Sequence, residues 1–236
     1  MNRTRYLVGG ALLGIALAVA ACGSDKPARQ VIEGDVLLSE SFDAPATWEQ
    51  GVYPSDAATP TSQLTVSEGR YEVTHRAGRT ASFAWGAGVD APQNVIVDVS
   101  AEQLSAEKDN LYGVLCRLAQ DEEGNWSGYA LLISGDGHYG IADLSRDSLG
   151  FILDWHQSDA IRQGQALNTV RAVCVDDYLA LYANGKFLGE VKDSRYQRTG
   201  QIGLIAGVTA GGEVRIAFDN LTLLAGSLPA TEGILN

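Results

Sequence analysis

Apolar residues recur at alternate positions in short runs along most of the chain, each run bounded by Gly, Asp, Asn or Pro. A period of two marks antiparallel strands with one buried face. It predicts strands over 36–42, 63–67, 70–75, 81–85, 95–101, 112–118, 127–134, 138–144, 168–175, 178–183, 186–191, 201–206 and 213–224. No stretch sustains a 3.6-residue period; 158–163 and 194–196 read as single helical turns. Gly135-Asp136-Gly137 reads as a hairpin loop, and Asn184-Gly185 as a type I′ turn, since Asn-Gly accepts the positive φ angles that turn demands. So many strands exceed a minimal immunoglobulin sandwich and predict an all-β fold, a two-sheet antiparallel jelly-roll sandwich.

The pattern breaks at the N-terminus. Arg3 and Arg5 precede an unbroken apolar and small-residue run from Leu7 to Ala21, after which Gly23, Ser24, Asp25 and Lys26 are polar. That is the layout of an export signal, and the run falls short of the roughly 20 apolar residues a membrane span needs. Val19-Ala20-Ala21-Cys22 resembles the lipobox of bacterial lipoproteins, in which the cysteine thiol receives a diacylglyceryl group and becomes the new N-terminus. The expected organisation is a signal peptide over 1–21, lipidated Cys22 with a flexible tether over 22–35, one domain over 36–226, and a tail over 227–236.

Charge narrows the partners. The chain carries 17 basic and 29 acidic residues; loss of 1–21 removes two of the basic ones and leaves a net charge of −14. Such a body repels nucleic acid and anionic lipid headgroups, so acyl chains rather than a basic patch must tether it. The expected location is extracytoplasmic, at a cell surface or in a periplasm. With Cys22 used by lipid, Cys116 and Cys174 remain as an even pair in an oxidising compartment, which predicts a disulfide between them.

Several landmarks carry a resemblance. They are Ser41-Phe42-Asp43 with Trp48, Tyr112-Gly113-Val114-Leu115-Cys116-Arg117, Gly128-Tyr129-Ala130-Leu131-Leu132-Ile133-Ser134, Gly137-His138-Tyr139, Arg171-Ala172-Val173-Cys174, Leu181-Tyr182-Ala183-Asn184-Gly185, Gly200-Gln201-Ile202-Gly203-Leu204 and Phe218-Asp219-Asn220. Together they resemble the concanavalin A-like lectin/glucanase superfamily, including the laminin-G-like jelly rolls that bacteria attach to lipoproteins. The resemblance implies adjacent first and last strands, and a structural calcium site near them for which Asp43 and Asp219 are candidate ligands; Asp43 and Asp219 as turn-capping acids are the alternative. No other cofactor is expected.

The family's glucanases use Glu-x-Asp-x-x-Glu from one strand, and this chain lacks it: Glu33-Gly34-Asp35 has no second Glu. His75, His138 and His156 show no zinc-ligand spacing, and there is no Gly-x-Ser-x-Gly elbow. The chain reads as a non-enzyme. Sugar binding stacks an aromatic ring on a pyranose while polar side chains meet its hydroxyls. Trp85, Trp126 and Trp155 beside polar turns, together with Tyr139, are the aromatic candidates, while Trp48 and Tyr129 read as core. If Cys116 points inward, alternation sends Tyr112, Val114 and Leu118 inward and turns Leu115 and Arg117 out. The same reasoning turns Arg171 away from Cys174, so that Arg117 and Arg171 would share a binding surface. A polysaccharide-binding module is thus expected, with a protein-interaction or sensory lipoprotein as the alternative. A hydrolase would need facing carboxylates among Asp98, Glu102, Asp143 and Asp154.

Overall fold

A computed structural model describes residues 26–43, 48–55 and 61–230. The expected export signal, Cys22 and the end of the tail lie outside them. In chain order the strands are β1 (Ile32–Glu40), β2 (Gly51–Tyr53), β3 (Ser62–Ser67), β4 (Arg70–Arg76), β5 (Ser82–Ala91), β6 (Val95–Gln103), β7 (Asn110–Gln120), β8 (Trp126–Ile133), β9 (His138–Ser145), β10 (Ser148–Gln157), β11 (Leu167–Val175), β12 (Tyr178–Ala183), β13 (Lys186–Lys192), β14 (Gly200–Val208) and β15 (Glu213–Ser227). No helix occurs among the described residues, and the two expected helical turns are plain turns.

The strands form two antiparallel sheets. One has nine strands in the order β13-β12-β11-β6-β15-β4-β3-β2, with β1 also paired to β15; the other has six in the order β10-β9-β8-β7-β14-β5. The long β15 pairs with β4 through Phe218 and with β1 from Leu221 onward, a division marked by a bulge between Asp219 and Thr222. First and last strands are therefore neighbours, as expected. Both turn predictions hold in geometry: Asn184 and Gly185 each adopt positive φ, and Ser134 N–H donates to His138 O at 2.8 Å across the β8–β9 loop.

Alternate residues of each sheet meet between them. Val97 and Val99 of β6, Val170, Ala172 and Cys174 of β11 and Phe218 of β15 pack against Tyr112, Val114 and Cys116 of β7 and Leu131 of β8. Trp48 and Tyr129 are buried there as expected. The Cys116–Cys174 disulfide spans this layer, joining β7 of one sheet to β11 of the other.

The described part of the expected tether is docked. β1 starts at Ile32, four residues before the expected domain edge, and the segment before it lies on the outer face of the nine-stranded sheet. There Val31 packs on a cluster of Ile96, Val173, Val175, Tyr178 and Ala180. Ala28 N–H donates to Glu190, Arg29 pairs with Asp177 at 2.8 Å and stands over the Tyr178 ring, and Glu33 pairs with Arg171 at 2.6 Å. Reading the segment by its polarity missed these partners, because apart from Ile96 of β6 they come from β11 to β13 and the turn between β11 and β12, more than a hundred residues away.

His75 sits at the β3–β4 edge between two hydroxyls, with Ser62 Oγ 2.8 Å from Nδ1 and Ser82 Oγ 2.8 Å from Nε2. Burial holds its pKa below the usual histidine range. The unfolded chain therefore takes up this proton at higher pH than the folded one. Stability is complete above the unfolded value of about 6.5 and falls as pH drops toward the folded pKa. A His75→Gln variant is expected to lose less melting temperature than wild type between about pH 7 and 5. Identical slopes would show that this imidazole does not set acid sensitivity.

Candidate functional site

The six-stranded sheet has a second face, turned away from the nine-stranded sheet, and its side chains are unlike those of an ordinary solvated face. Leu115 and Leu118 of β7, Ala130 and Leu132 of β8, Ala142 and Leu144 of β9 and Ile205 of β14 are all fully buried there. What covers them is a set of large apolar side chains from the same sheet: Phe83, Trp85, Leu111, Trp126, Leu149 and Trp155. An aliphatic floor under aromatic walls results.

The two halves of the face differ. Trp85 of β5 and Trp126 of β8 meet edge to face with ring centres 5.0 Å apart, an arrangement the aromatic quadrupole favours, and fill one part. A cavity of about 520 Å³ occupies the other. Phe83 of β5 and Phe151 and Trp155 of β10 line it. Since β5 and β10 are the two edge strands of the sheet, these rings wall opposite sides. Phe151 and Trp155 pack with ring centres 5.1 Å apart, and Phe151 remains 38% exposed.

Polar groups gather at one end, where β7 begins, β14 ends and the β8–β9 loop turns. Asp109, Asn110, Ser134, Asp136, His138 and Thr209 line this end. The loops are tied together: Gly135 N–H donates to Asn110 Oδ1 at 2.9 Å, and Ser134 Oγ donates to Lys108 O at 3.2 Å. Asn110 in turn is gripped by Gln103 Oε1 at 3.0 Å. Burial works to raise the Asp136 pKa, but Ser134 and His138, whose backbone N–H donates to Asp136 Oδ1 at 3.3 Å, outweigh it and hold the carboxyl below the usual range. His138 Nδ1 lies 2.9 Å from Asp136 Oδ1, off the line of a hydrogen bond.

Of the residues singled out from sequence, Trp85, Trp126 and Trp155 come together on this face, and only Trp155 lines the cavity. Trp155 lies within β10 and Trp126 opens β8, so neither is a loop residue. Tyr139 departs from expectation. It packs against the inter-sheet core, its ring centre 5.8 Å from that of His156, on the opposite side of β9.

The shared arginine surface is also corrected. The register of β7 slips between Cys116 and Ala119, with Arg117 at φ 56°, so alternation fails there: Leu118 joins Leu115 on the open face and Arg117 turns inward. Arg117 is 1% exposed; its Nε donates to Gln93 O at 2.9 Å and its Nη1 to Tyr196 O at 3.0 Å, beside the Tyr129 ring. Arg171 is on the outer face of the nine-stranded sheet, bound through both Nε and Nη2 to Asp98 at 2.7 Å. The two arginines belong to different sheets.

The four acids considered for hydrolysis are dispersed. Asp98 pairs with Arg171 and Glu102 with Arg70 in the nine-stranded sheet, Asp143 pairs with Arg195 at 2.8 Å, and Asp154 accepts the Trp155 N–H. Asp219 accepts the Asn220 N–H at 2.6 Å, while Asp43 packs beside Gly69; among the described residues no three acidic, histidine or cysteine side chains cluster in a way that could hold a metal. Sequence reasoning missed Phe83, Phe151, Asp109 and Asp136. Phe83 and Phe151 have the composition of core residues, and only the topology places both on the uncovered face.

No family model matches the chain, and no curated protein matches it. Solved structures do. A carbohydrate-binding module, CBM66 from Bacillus subtilis, superposes with TM-score 0.55 at 12% identity, covering 76% of this chain and 96% of the module. A Bacillus subtilis protein of unknown function with a galectin-like fold gives TM-score 0.60 at 12% identity over 84% of this chain and 99% of that one. A Bacillus licheniformis β-glucanase gives 0.57 at 9% identity over 81% and 98%. At such identities the likeness is one of fold, and the fold is the concanavalin A-like jelly roll that carbohydrate-binding modules and glucanases share.

Proposed function

We propose that the protein binds a polysaccharide in the cavity on the open face of the six-stranded sheet, without cleaving it, and is displayed from a membrane through lipid on Cys22. The observation that carries the reading is the cavity walled by Phe83, Phe151 and Trp155 with polar groups at one end. Aromatic faces suit the C–H face of a pyranose, and Thr209 Oγ at the polar end, which donates to Asp109 O, keeps lone pairs that accept from a sugar hydroxyl. The likeness to a carbohydrate-binding module supports it. A non-catalytic role is supported by the floor of this face, where Leu115, Ala130, Leu132, Ala142, Leu144 and Ile205 are aliphatic. A retaining glycosidase needs two carboxyl groups about 5–5.5 Å apart flanking the bond, whereas the two in the lining, Asp109 and Asp136, are both at the loop end and none rises from the floor.

Trp155→Ala is expected to weaken binding to the polysaccharide selected from a glycan array at least about tenfold, or about 1.4 kcal/mol, with the fold intact by circular dichroism. Unchanged affinity would remove the site, and release of reducing ends from the bound glycan would remove the non-catalytic role. Replacing Cys22 with Ser is expected to move the protein from the membrane fraction to the soluble one and to abolish fatty-acid labelling. Fatty-acid labelling undiminished in the variant would exclude the anchor.

A further inference from the structure

The charge of the cavity lining is of one sign. Asp109 and Asp136 line its polar end, and among the described residues no Lys or Arg lines any part of it. Lys108 precedes Asp109 in sequence, but its Cε packs beside Gly164 and it does not line the cavity. The Asp136 carboxyl stays ionised well below neutral pH, since its hydrogen bonds with Ser134 and His138 favour the charged form over the effect of burial. Asp109 is exposed, and its backbone carbonyl accepts from Thr209 N–H and Oγ, which fixes the loop that carries it. The apolar walls lower the local dielectric, so a charge entering beside these carboxylates is felt more strongly than in water. His138, beside Asp136, is the other titratable group facing this end.

Resting on the polysaccharide reading, we infer that the loop end of the cavity is a subsite for a sugar bearing a protonated amine, with Asp109 and Asp136 as its specificity-determining residues, and that it excludes acidic sugars. An ammonium group would meet two carboxylates there while the rest of the chain lies along Trp155, Phe151 and Phe83. A uronate, sulfate or phosphate would meet like charge.

The test uses calorimetric titration at about pH 6.5, where a sugar amine is largely protonated, with three oligosaccharides of one linkage and length: glucosamine, glucose and glucuronic acid oligomers. It is run in wild type, in Asp109→Asn/Asp136→Asn, and in His138→Gln so that imidazole protonation does not set the outcome. The expected order is amine tightest, neutral next and uronate weakest, with about 30-fold or more between the ends of the series. His138→Gln keeps that order, and the double Asn variant compresses it to within about threefold while neutral binding persists. Wild-type binding of the uronate as tightly as the neutral chain, or a preference undiminished in the double Asn variant, overturns the subsite and leaves polysaccharide binding standing. Failure of all three to bind, together with a blank glycan array, overturns the polysaccharide reading and the subsite with it.

Discussion

Replacing Cys116 and Cys174 together with alanine is expected to cost about 4 kcal/mol of stability and to lower the melting temperature by roughly 10 °C. The bridge closes a loop of 58 residues, and most of its effect is to remove open conformations from the unfolded chain. It also joins the two sheets through the middle of their shared layer, where both cysteines are fully buried. Equilibrium urea unfolding of wild type, of reduced wild type and of the double variant separates the contributions. Reduction alone reports loop closure, and the further step to alanine reports the packing lost with two sulfurs. A reduced wild type that melts within about 2 °C of the oxidised one would mean that the unfolded chain is already restricted.

Arg117→Ala is expected to cost about 3–5 kcal/mol. Arg117 has the largest of the fully buried side chains, so truncation opens a cavity, and it strips the Gln93 and Tyr196 carbonyls of their donors. Burial disfavours the guanidinium charge, which lowers its pKa and offsets part of what the hydrogen bonds contribute. Alanine at φ 56° bears the same backbone strain as arginine, so that cost cancels. Arg117→Met restores most of the volume without the donors and is expected to recover about half the loss. If the methionine variant were as stable as wild type, packing alone would explain the residue and the two hydrogen bonds would contribute nothing net.

The same residue explains where the sequence was legible. Alternation places Tyr112, Val114, Cys116, Val170, Ala172 and Cys174 correctly, because each segment is regular up to that point and the side-chain period is two. One extra residue in the bulge after Cys116 reverses the phase, and Arg117 and Leu118 exchange sides. Nothing in Arg117-Leu118-Ala119 announces this. The bulge is stabilised from elsewhere: Arg198 donates to Arg117 O at 3.4 Å and to Ser127 O at 2.9 Å.

β10 was missed for a related reason. Its register shifts twice, between Phe151 and Leu153 and again before His156, so Asp154-Trp155-His156-Gln157 shows no alternation and reads as a polar loop. Yet this edge strand supplies two of the three rings that wall the cavity. The aromatic candidates were half legible: composition pointed to the tryptophans, and which of them line a cavity and which fill one another's space depends on a sheet whose strands come from positions 82 to 208. The acids at the loop end were illegible because Asp109 and Asp136 look like turn residues, which they are.

The pairing of β1 with β15 sets Ile32 directly across from Ser227. Cross-strand partners stand about 5 Å apart, a gap that a turn of a few residues can close. A circular permutant with 32 and 227 joined, and with new ends opened at the Asn184-Gly185 turn, would keep every strand in both sheets. It would also carry any N-terminal attachment to the far side of β12 and β13, turning the open face of the six-stranded sheet through a new angle relative to whatever holds the chain.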